Sequence, residues 1–197
     1  QDNTMKHKIF TLTACMLLMA GALRAQMNEL TRVKINNHRL SLQKKGMVAL
    51  GSWAVGNIAF SGAMMTQDQG VGFRFHQMNV LWNTVNLGVA TAGYLSLKAK
   101  DPYAYTTLQT VEAYQNTSKI LLLNAGLDAA YIMTGLYMRE RAKNVAKNQD
   151  LWEGYGNSVI MQGGFLLAFD AVMYFLVEDQ RKRFINPDDI QIIIQDR

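Results

Sequence analysis

The chain has 197 residues, enough for one domain, and hydrophobic residues make up 49% of it against 18% for charged residues. The mean hydropathy is nevertheless −0.04, because the apolar residues are gathered into blocks separated by very polar stretches. Lys and Arg outnumber Asp and Glu by 20 to 15. The basic residues flank the apolar blocks and form no run interleaved with aromatic residues, which favours a lipid surface and excludes nucleic acid as the expected partner.

The first segment has the pattern of a secretory signal. Basic residues around Lys6 precede an apolar stretch over residues 9–22, and small residues lead to a cleavage site after Ala25. The sequence therefore predicts a cleavable signal peptide over residues 1–25 and one mature domain over residues 26–197. An uncleaved anchor helix is the alternative.

Four apolar blocks follow, each long enough to cross a hydrocarbon layer of about 30 Å as a helix. They cover residues 47–65, 78–97, 120–138 and 158–177. None contains Pro, Lys, Arg or His, and Gly and Ala recur in all of them. Small residues let helices approach closely in lipid, whereas a soluble core helix would be destabilised by that much Gly. The prediction is an all-α fold, a membrane four-helix bundle.

Two amphipathic stretches are predicted to flank these spans. Residues 28–45 form a basic helix that lies on a membrane surface or extends the first span, with Arg39 away from its apolar face. The second stretch begins where Asp101 caps a helix that starts at Pro102. It ends at residues 116–118, which offer a new cap before the third span.

The chemically informative residues are polar side chains inside the apolar blocks. They are Asn57 in the first block, Asn79, Asn83 and Asn86 in the second, Asn124 and Asp128 in the third, and Gln162 and Asp170 in the fourth. Because buried polar groups are costly in hydrocarbon, these side chains should face the bundle interior. Counting about 1.5 Å of rise per residue places one residue from each helix in a single layer: Asn57, Asn86, Asp128 and Asp170. Two neighbouring carboxyls there would hold a proton between them.

No pattern indicates catalysis, a cofactor or a metal site. The histidines are scattered, with His76 expected at the membrane interface beside Arg74, and Ser61 has no base at a suggestive spacing. Cys15, the single cysteine, lies in the signal segment. The sequence therefore predicts a non-enzymatic protein without cofactor or metal, and it assigns no role to the tail at residues 184–197.

The stretch Gly51-Ser52-Trp53-Ala54-Val55-Gly56-Asn57-Ile58 follows a signal ending at Ala25 and precedes three further short spans. This arrangement resembles uncharacterised four-helix membrane proteins of Bacteroidota. The resemblance covers most of the mature chain and implies the membrane architecture, but no activity.

The leading hypothesis is a structural or accessory subunit of the bacterial inner membrane, in contact with lipid and with other envelope membrane proteins or copies of itself. Its mature N-terminus is expected in the periplasm, although the segments then placed outside carry more Lys and Arg than those inside, against the positive-inside rule. Two alternatives stay open. One is a small transporter or ligand-binding membrane protein that uses Asp128 and Asp170; the other is a soluble periplasmic helical bundle.

Overall fold

The computed structural model describes the backbone of residues 2–185 and the side chains of residues 29–185. The predicted signal peptide and the tail beyond residue 185 lie outside the fully described residues. The long helices are α1 (Asp2–Met64), α2 (Gly70–Lys98), α3 (Thr107–Ala142) and α4 (Gln149–Phe184). No strand occurs between residues 2 and 185. The prediction of an all-α chain with four long helices is confirmed.

The predicted flanking helices are not separate from the spans. α1 runs through residues 28–45 into the first span, and α3 runs through residues 116–118 into the third. Thr117 does not cap a helix, because its hydroxyl donates to the carbonyl oxygen of Ala113 one turn earlier, at 2.8 Å. The prediction of a break at this point was therefore wrong, and α1 and α3 extend well beyond the predicted spans.

The connection between α2 and α3 is fixed by side-chain caps. Asp101 accepts a hydrogen bond from the backbone N–H of Tyr103, as its predicted capping role requires, but it begins only a short 3₁₀ turn, Pro102–Ala104. α3 starts at a capping box in which Thr106 and Gln109 each bond the other's backbone N–H. The connection therefore holds the start of α3 at a defined place beside the end of α2.

The four helices do not contact one another evenly. α1 packs beside α2, α2 beside α4, and α4 beside α3, whereas α2 and α3 scarcely touch. At the end of the bundle near this connection, a buried apolar cluster that includes Ile35, Val111, Tyr114 and Val177 joins α1, α3 and α4. Beyond that cluster, toward the middle of the bundle, the separation of α2 from α3 leaves a gap.

A close helix contact joins α3 and α4 through glycine. A methyl group added at Gly135 would lie 2.7 Å from the carbonyl oxygen of Gly156, and one added at Gly156 would lie 2.8 Å from that of Gly135. The two backbones therefore touch, as small residues allow in lipid. Gly126, also on α3, has no such neighbour within 4 Å. Close approach is thus restricted to particular glycines.

The polarity of the bundle is inverted relative to that of a water-soluble protein. Buried side chains include many polar ones: Asn36, Ser61, Asn79, Asn83, Ser158 and Gln162 are all at most 1% exposed. Large apolar side chains face outward, including Phe60, Val85, Leu123 and Phe175, each more than half exposed. Three described helices, Glu29–Met64, Thr107–Ala142 and Gln149–Phe184, are long and apolar enough to cross a membrane. α2, which carries three asparagines in its apolar block, is not among them.

Candidate functional site

The polar residues predicted inside the spans lie in two clusters and not in a single layer. We call the first the amide cluster; its members are Trp53, Asn57, Ser61, His76, Asn79, Asn83 and Gln162. We call the second the carboxyl cluster; its members are Asn86, Asn124, Asp128 and Asp170. Asn57 thus belongs with the amides of α2 and α4. Counting helix rise along the sequence had instead grouped it with the carboxyls.

Asn79 is the centre of the amide cluster. Its side-chain oxygen accepts hydrogen bonds from Gln162 and from Asn83, the latter at 3.0 Å. Its Nδ2 donates to Asn57 Oδ1 at 2.9 Å and to Ser61 Oγ at 2.6 Å. One amide group thereby joins α1, α2 and α4. Such interhelical hydrogen bonds satisfy groups that hydrocarbon cannot satisfy, which stabilises the packing of these helices.

The amide cluster continues in both directions. Trp53 donates from its indole nitrogen to Oε1 of Gln162 at 3.1 Å. In the other direction His76 Nδ1 and Ser61 Oγ share a hydrogen bond of 3.0 Å, and His76 Nε2 lies 3.1 Å from Oδ2 of Asp68. His76 is only 7% exposed, and its place at a membrane interface stays a prediction.

Although no base stands at a suggestive sequence spacing from Ser61, the fold brings His76 and Asp68 to it, and the three side chains form a hydrogen-bonded series. A Ser-His-Asp series is the arrangement of a nucleophilic triad. Ser61 is 0% exposed, however, and it also accepts a hydrogen bond from Asn79. A substrate has no access to a hydroxyl buried in this way, so the series joins α1 to α2 as part of the amide cluster.

The carboxyl cluster has fewer internal partners. The carboxyl groups of Asp128 and Asp170 lie within hydrogen-bonding reach of one another, and the Asn124 side chain lies near Asp170. Two carboxyls can form a hydrogen bond only when one of them carries a proton. Asp128 is 3% exposed and Asn86 is 8% exposed, yet Oδ2 of Asp128 and Nδ2 of Asn86 have no hydrogen-bond partner.

A cavity of about 970 Å³ fills the gap between α2 and α3, and all four members of the carboxyl cluster line it. Its middle is apolar, with Val85, Val89 and Ile120 in the wall. These three side chains are more than half exposed, so the cavity opens sideways between α2 and α3. Near the carboxyl cluster Trp82 meets Tyr131 edge to face, with ring centroids 4.9 Å apart, and this contact bridges the gap.

The opposite end of the cavity is lined by polar and basic side chains, among them Arg39, Gln43, Lys100 and Thr117. The sequence analysis did not predict that Arg39 is buried. The one sequence feature that could have indicated it is the spacing of three residues between Arg39 and Asn36, to which Arg39 donates a hydrogen bond. Among residues 29–185, no group of three or more His, Cys, Asp or Glu side chains could hold a metal ion.

Comparison with known proteins identifies a family but no activity. The model of a family of unknown function, DUF6992, matches residues 49–171, which is more than half of the chain. The matched region includes every member of both clusters, but it does not include Arg39. The prediction of an uncharacterised family is thereby confirmed. No curated protein matches the chain, and no solved structure matches it.

Proposed function

Because the chain belongs to this family of unknown function, we propose a function from its own geometry: it is a membrane protein of the bacterial cell envelope that binds a small polar ligand in the cavity. The observation that carries the proposal is that two residues lining the cavity each bury a polar atom without a partner, Oδ2 of Asp128 and Nδ2 of Asn86. One is an acceptor on α3 and the other a donor on α2. A ligand with both a donor and an acceptor, such as an amino alcohol or a small amide, would satisfy both.

The free-energy cost of burying these two atoms without hydrogen-bond partners supports the presence of a ligand. A buried polar group without a partner is destabilising by about 1–3 kcal/mol, and by more if it is charged. Intramembrane carboxyls usually face a watery cavity or a binding pathway, and the location of Asp128 and Asp170 agrees with that tendency. The cavity volume of about 970 Å³ is at the upper end of the range for ligand sites.

The inverted polarity of the bundle supports lipid as its surroundings. Three helices could cross a membrane by length and composition, and we propose that α2 is the fourth span. Its asparagines Asn79 and Asn83 are at most 1% exposed, while Leu81, Val85 and Val89 are more than half exposed where the cavity opens. The mean hydropathy of α2 hides this difference between its two faces. A soluble periplasmic bundle, the alternative, would leave these apolar side chains in water.

The proposed location is the inner membrane, with the mature N-terminus in the periplasm. The connection between α2 and α3 is then periplasmic, and the Arg39 end of the cavity lies near that surface. The excess of basic residues on this side fits interaction with anionic headgroups. Carbonate extraction of membranes tests the membrane assignment, because release of the protein into the supernatant would contradict it.

An accessory role without a ligand is the second candidate function. The amide cluster favours it, since Asn57, Asn79 and Gln162 are used in contacts between helices. Partner membrane proteins or further copies of the chain would then pack against the apolar outer face. This role assigns no purpose to the unpartnered atoms of the carboxyl cluster.

Tryptophan fluorescence can decide between the two roles, because Trp82 lines the cavity. The detergent-purified protein is titrated with ethanolamine, which has a donor and an acceptor, and with tetramethylammonium, a cation that has neither. We expect ethanolamine alone to change the emission, and the change to disappear in the double variant Asp128→Asn/Asp170→Asn and in Trp82→Phe. Asp179→Asn removes an exposed carboxyl from α4, the helix that carries Asp170. This variant is the matched control and should respond like wild type. A folded double variant that responds like wild type, or a wild type that responds to neither probe, would contradict the proposal.

A further inference from the structure

Arg39 is a buried cation at the end of the cavity opposite the carboxyl cluster. It is 2% exposed, and its NH2 nitrogen donates to Asn36 Oδ1 at 3.0 Å. Asn36 is held in place by its own hydrogen bond to Thr110, at 2.8 Å. The guanidinium carbon also lies 4.8 Å from the ring centroid of Tyr105 and 6.0 Å from that of Tyr114.

Within residues 29–185, these contacts leave the guanidinium without a counter-ion. Nε of Arg39 is buried and has no hydrogen-bond partner. Among the ion pairs of residues 29–185, none includes Arg39. A guanidinium has five N–H donors, and burying it without an anion costs several kcal/mol. The structure therefore contains a desolvated positive charge whose natural complement is an anionic group.

The surroundings of Arg39 favour an anion as well. Lys100, Gln43 and Asn116 line the same end of the cavity and carry N–H donors. The only acidic side chains among the described lining residues are the two of the carboxyl cluster, at the other end. Glu112 lines a neighbouring depression of about 490 Å³ and not this cavity.

The depth of the cavity indicates what carries the anion. Along α3 its lining runs from Ala113 to Tyr131, a distance of about 27 Å at the helix rise. The third predicted span begins at residue 120, so the Arg39 end lies at the level of lipid headgroups and the apolar middle lies within the hydrocarbon layer. A free anion would occupy only the polar end of such a cavity, whereas a lipid would occupy both parts.

We propose that the Arg39 end of the cavity binds the phosphate of an anionic phospholipid, with an acyl chain lying against Val85, Val89 and Ile120. Arg39 and Lys100 are the phosphate ligands. Arg39 differs from the exposed basic residues of the chain, because a desolvated guanidinium is screened little by salt and its fork of donors matches phosphate oxygens. The proposal does not depend on the carboxyl cluster.

Native mass spectrometry of the detergent-purified protein tests the proposal. Phosphatidylglycerol, phosphatidylcholine and inorganic phosphate are added separately at equal concentrations, and the bound fractions are compared. We expect phosphatidylglycerol to be retained in preference to the other two. Arg39→Gln should lower its retention about tenfold or more, as the loss of a charged hydrogen bond predicts, and Lys100→Gln should lower it less. Lys147→Gln, at the exposed connection between α3 and α4, is the matched control and should change nothing.

Three results would overturn the proposal. They are equal retention of the two lipids, retention of inorganic phosphate without a preference for phosphatidylglycerol, and a loss in Lys147→Gln as large as that in Arg39→Gln. Should Arg39→Gln fail to fold, Lys100→Gln carries the test alone, since the exposed Lys100 is tolerant of change. Ethanolamine contains no phosphate and tests the carboxyl cluster, so either proposal can fail while the other stands.

Discussion

The amide cluster and the carboxyl cluster place similar groups in different surroundings. In the amide cluster, three helices meet and nearly every buried donor and acceptor has a partner; Asn83 Oδ1 is the exception. In the carboxyl cluster, α2 stands away from α3, and one donor and one acceptor are left without partners. Polar residues inside apolar helices therefore need not share one purpose. Their partners show which ones hold helices together and which ones are available to a ligand.

The same contrast holds for Asn79 and Asn86, seven residues apart on α2. Asn79 bonds to three other side chains on α1 and α4, whereas Nδ2 of Asn86, a residue of the cavity lining, is buried without a partner. Both are buried, at 1% and 8% exposure. Burial alone thus does not distinguish them, and substitution should.

The largest effect is expected for Asn79→Leu. The change removes the central amide and leaves Gln162 and Ser61 without their partner, which should lower the free energy of unfolding by about 2–4 kcal/mol. Asn86→Leu is the matched control on the same helix, and it should change stability by less than about 1 kcal/mol because no hydrogen bond is lost. Reversible unfolding in mixed micelles measures both. Equal losses would show that the two clusters do not differ in this way.

An intermediate effect is expected where α3 touches α4. Gly135→Ala places a methyl group against the Gly156 backbone, and overpacking of this kind costs about 1–3 kcal/mol. Gly126→Ala has open space and should be neutral or slightly stabilising, since Ala favours helix more than Gly does. Thermal unfolding in detergent compares the two variants. If Gly126→Ala were the more damaging, the contact between α3 and α4 would not be as close as the structure shows.

The smallest effect on stability is expected for Asp128→Asn/Asp170→Asn. Replacing two neighbouring carboxyls with amides of similar size removes a costly pair of acids. The free energy of unfolding should therefore change by less than about 1 kcal/mol, and the midpoint of thermal unfolding should stay unchanged or rise slightly. A loss as large as that for Asn79→Leu would place the aspartates among the groups that hold the bundle together. The same thermal-unfolding series includes Asp179→Asn as the reference for removing an exposed carboxyl.

The sequence was informative wherever the signal is local. Hydrophobic blocks predicted four helices, and the Asp101 cap was predicted from its position before Pro102. Counting helix rise brought Asp128 and Asp170 together, because α3 and α4 are neighbours in the chain and antiparallel. It misplaced Asn57, because depth along a helix says nothing of its rotation about the axis or of which helices touch.

Other features depend on contacts between distant residues, which spacing does not reveal. Asp68 lies in the connection between α1 and α2 and His76 lies on α2, and only the folded chain brings them to Ser61. The burial of Arg39 depends on α3 placing Tyr114 and Thr110 beside α1, seventy or more residues away in the chain. An amphipathic pattern read along residues 28–45 could not anticipate that a second helix would cover the basic side.

The separation of α2 from α3 also has a consequence for access. Since Leu81, Val85 and Ile120 are exposed along the rim of the gap, the opening extends through the hydrophobic thickness of the bundle and is not confined to one end. In the proposed membrane location, a molecule already dissolved in the bilayer would reach the interior by lateral diffusion in the plane of the membrane. Occupancy would then follow the composition of the surrounding leaflet, with no passage through the aqueous phase.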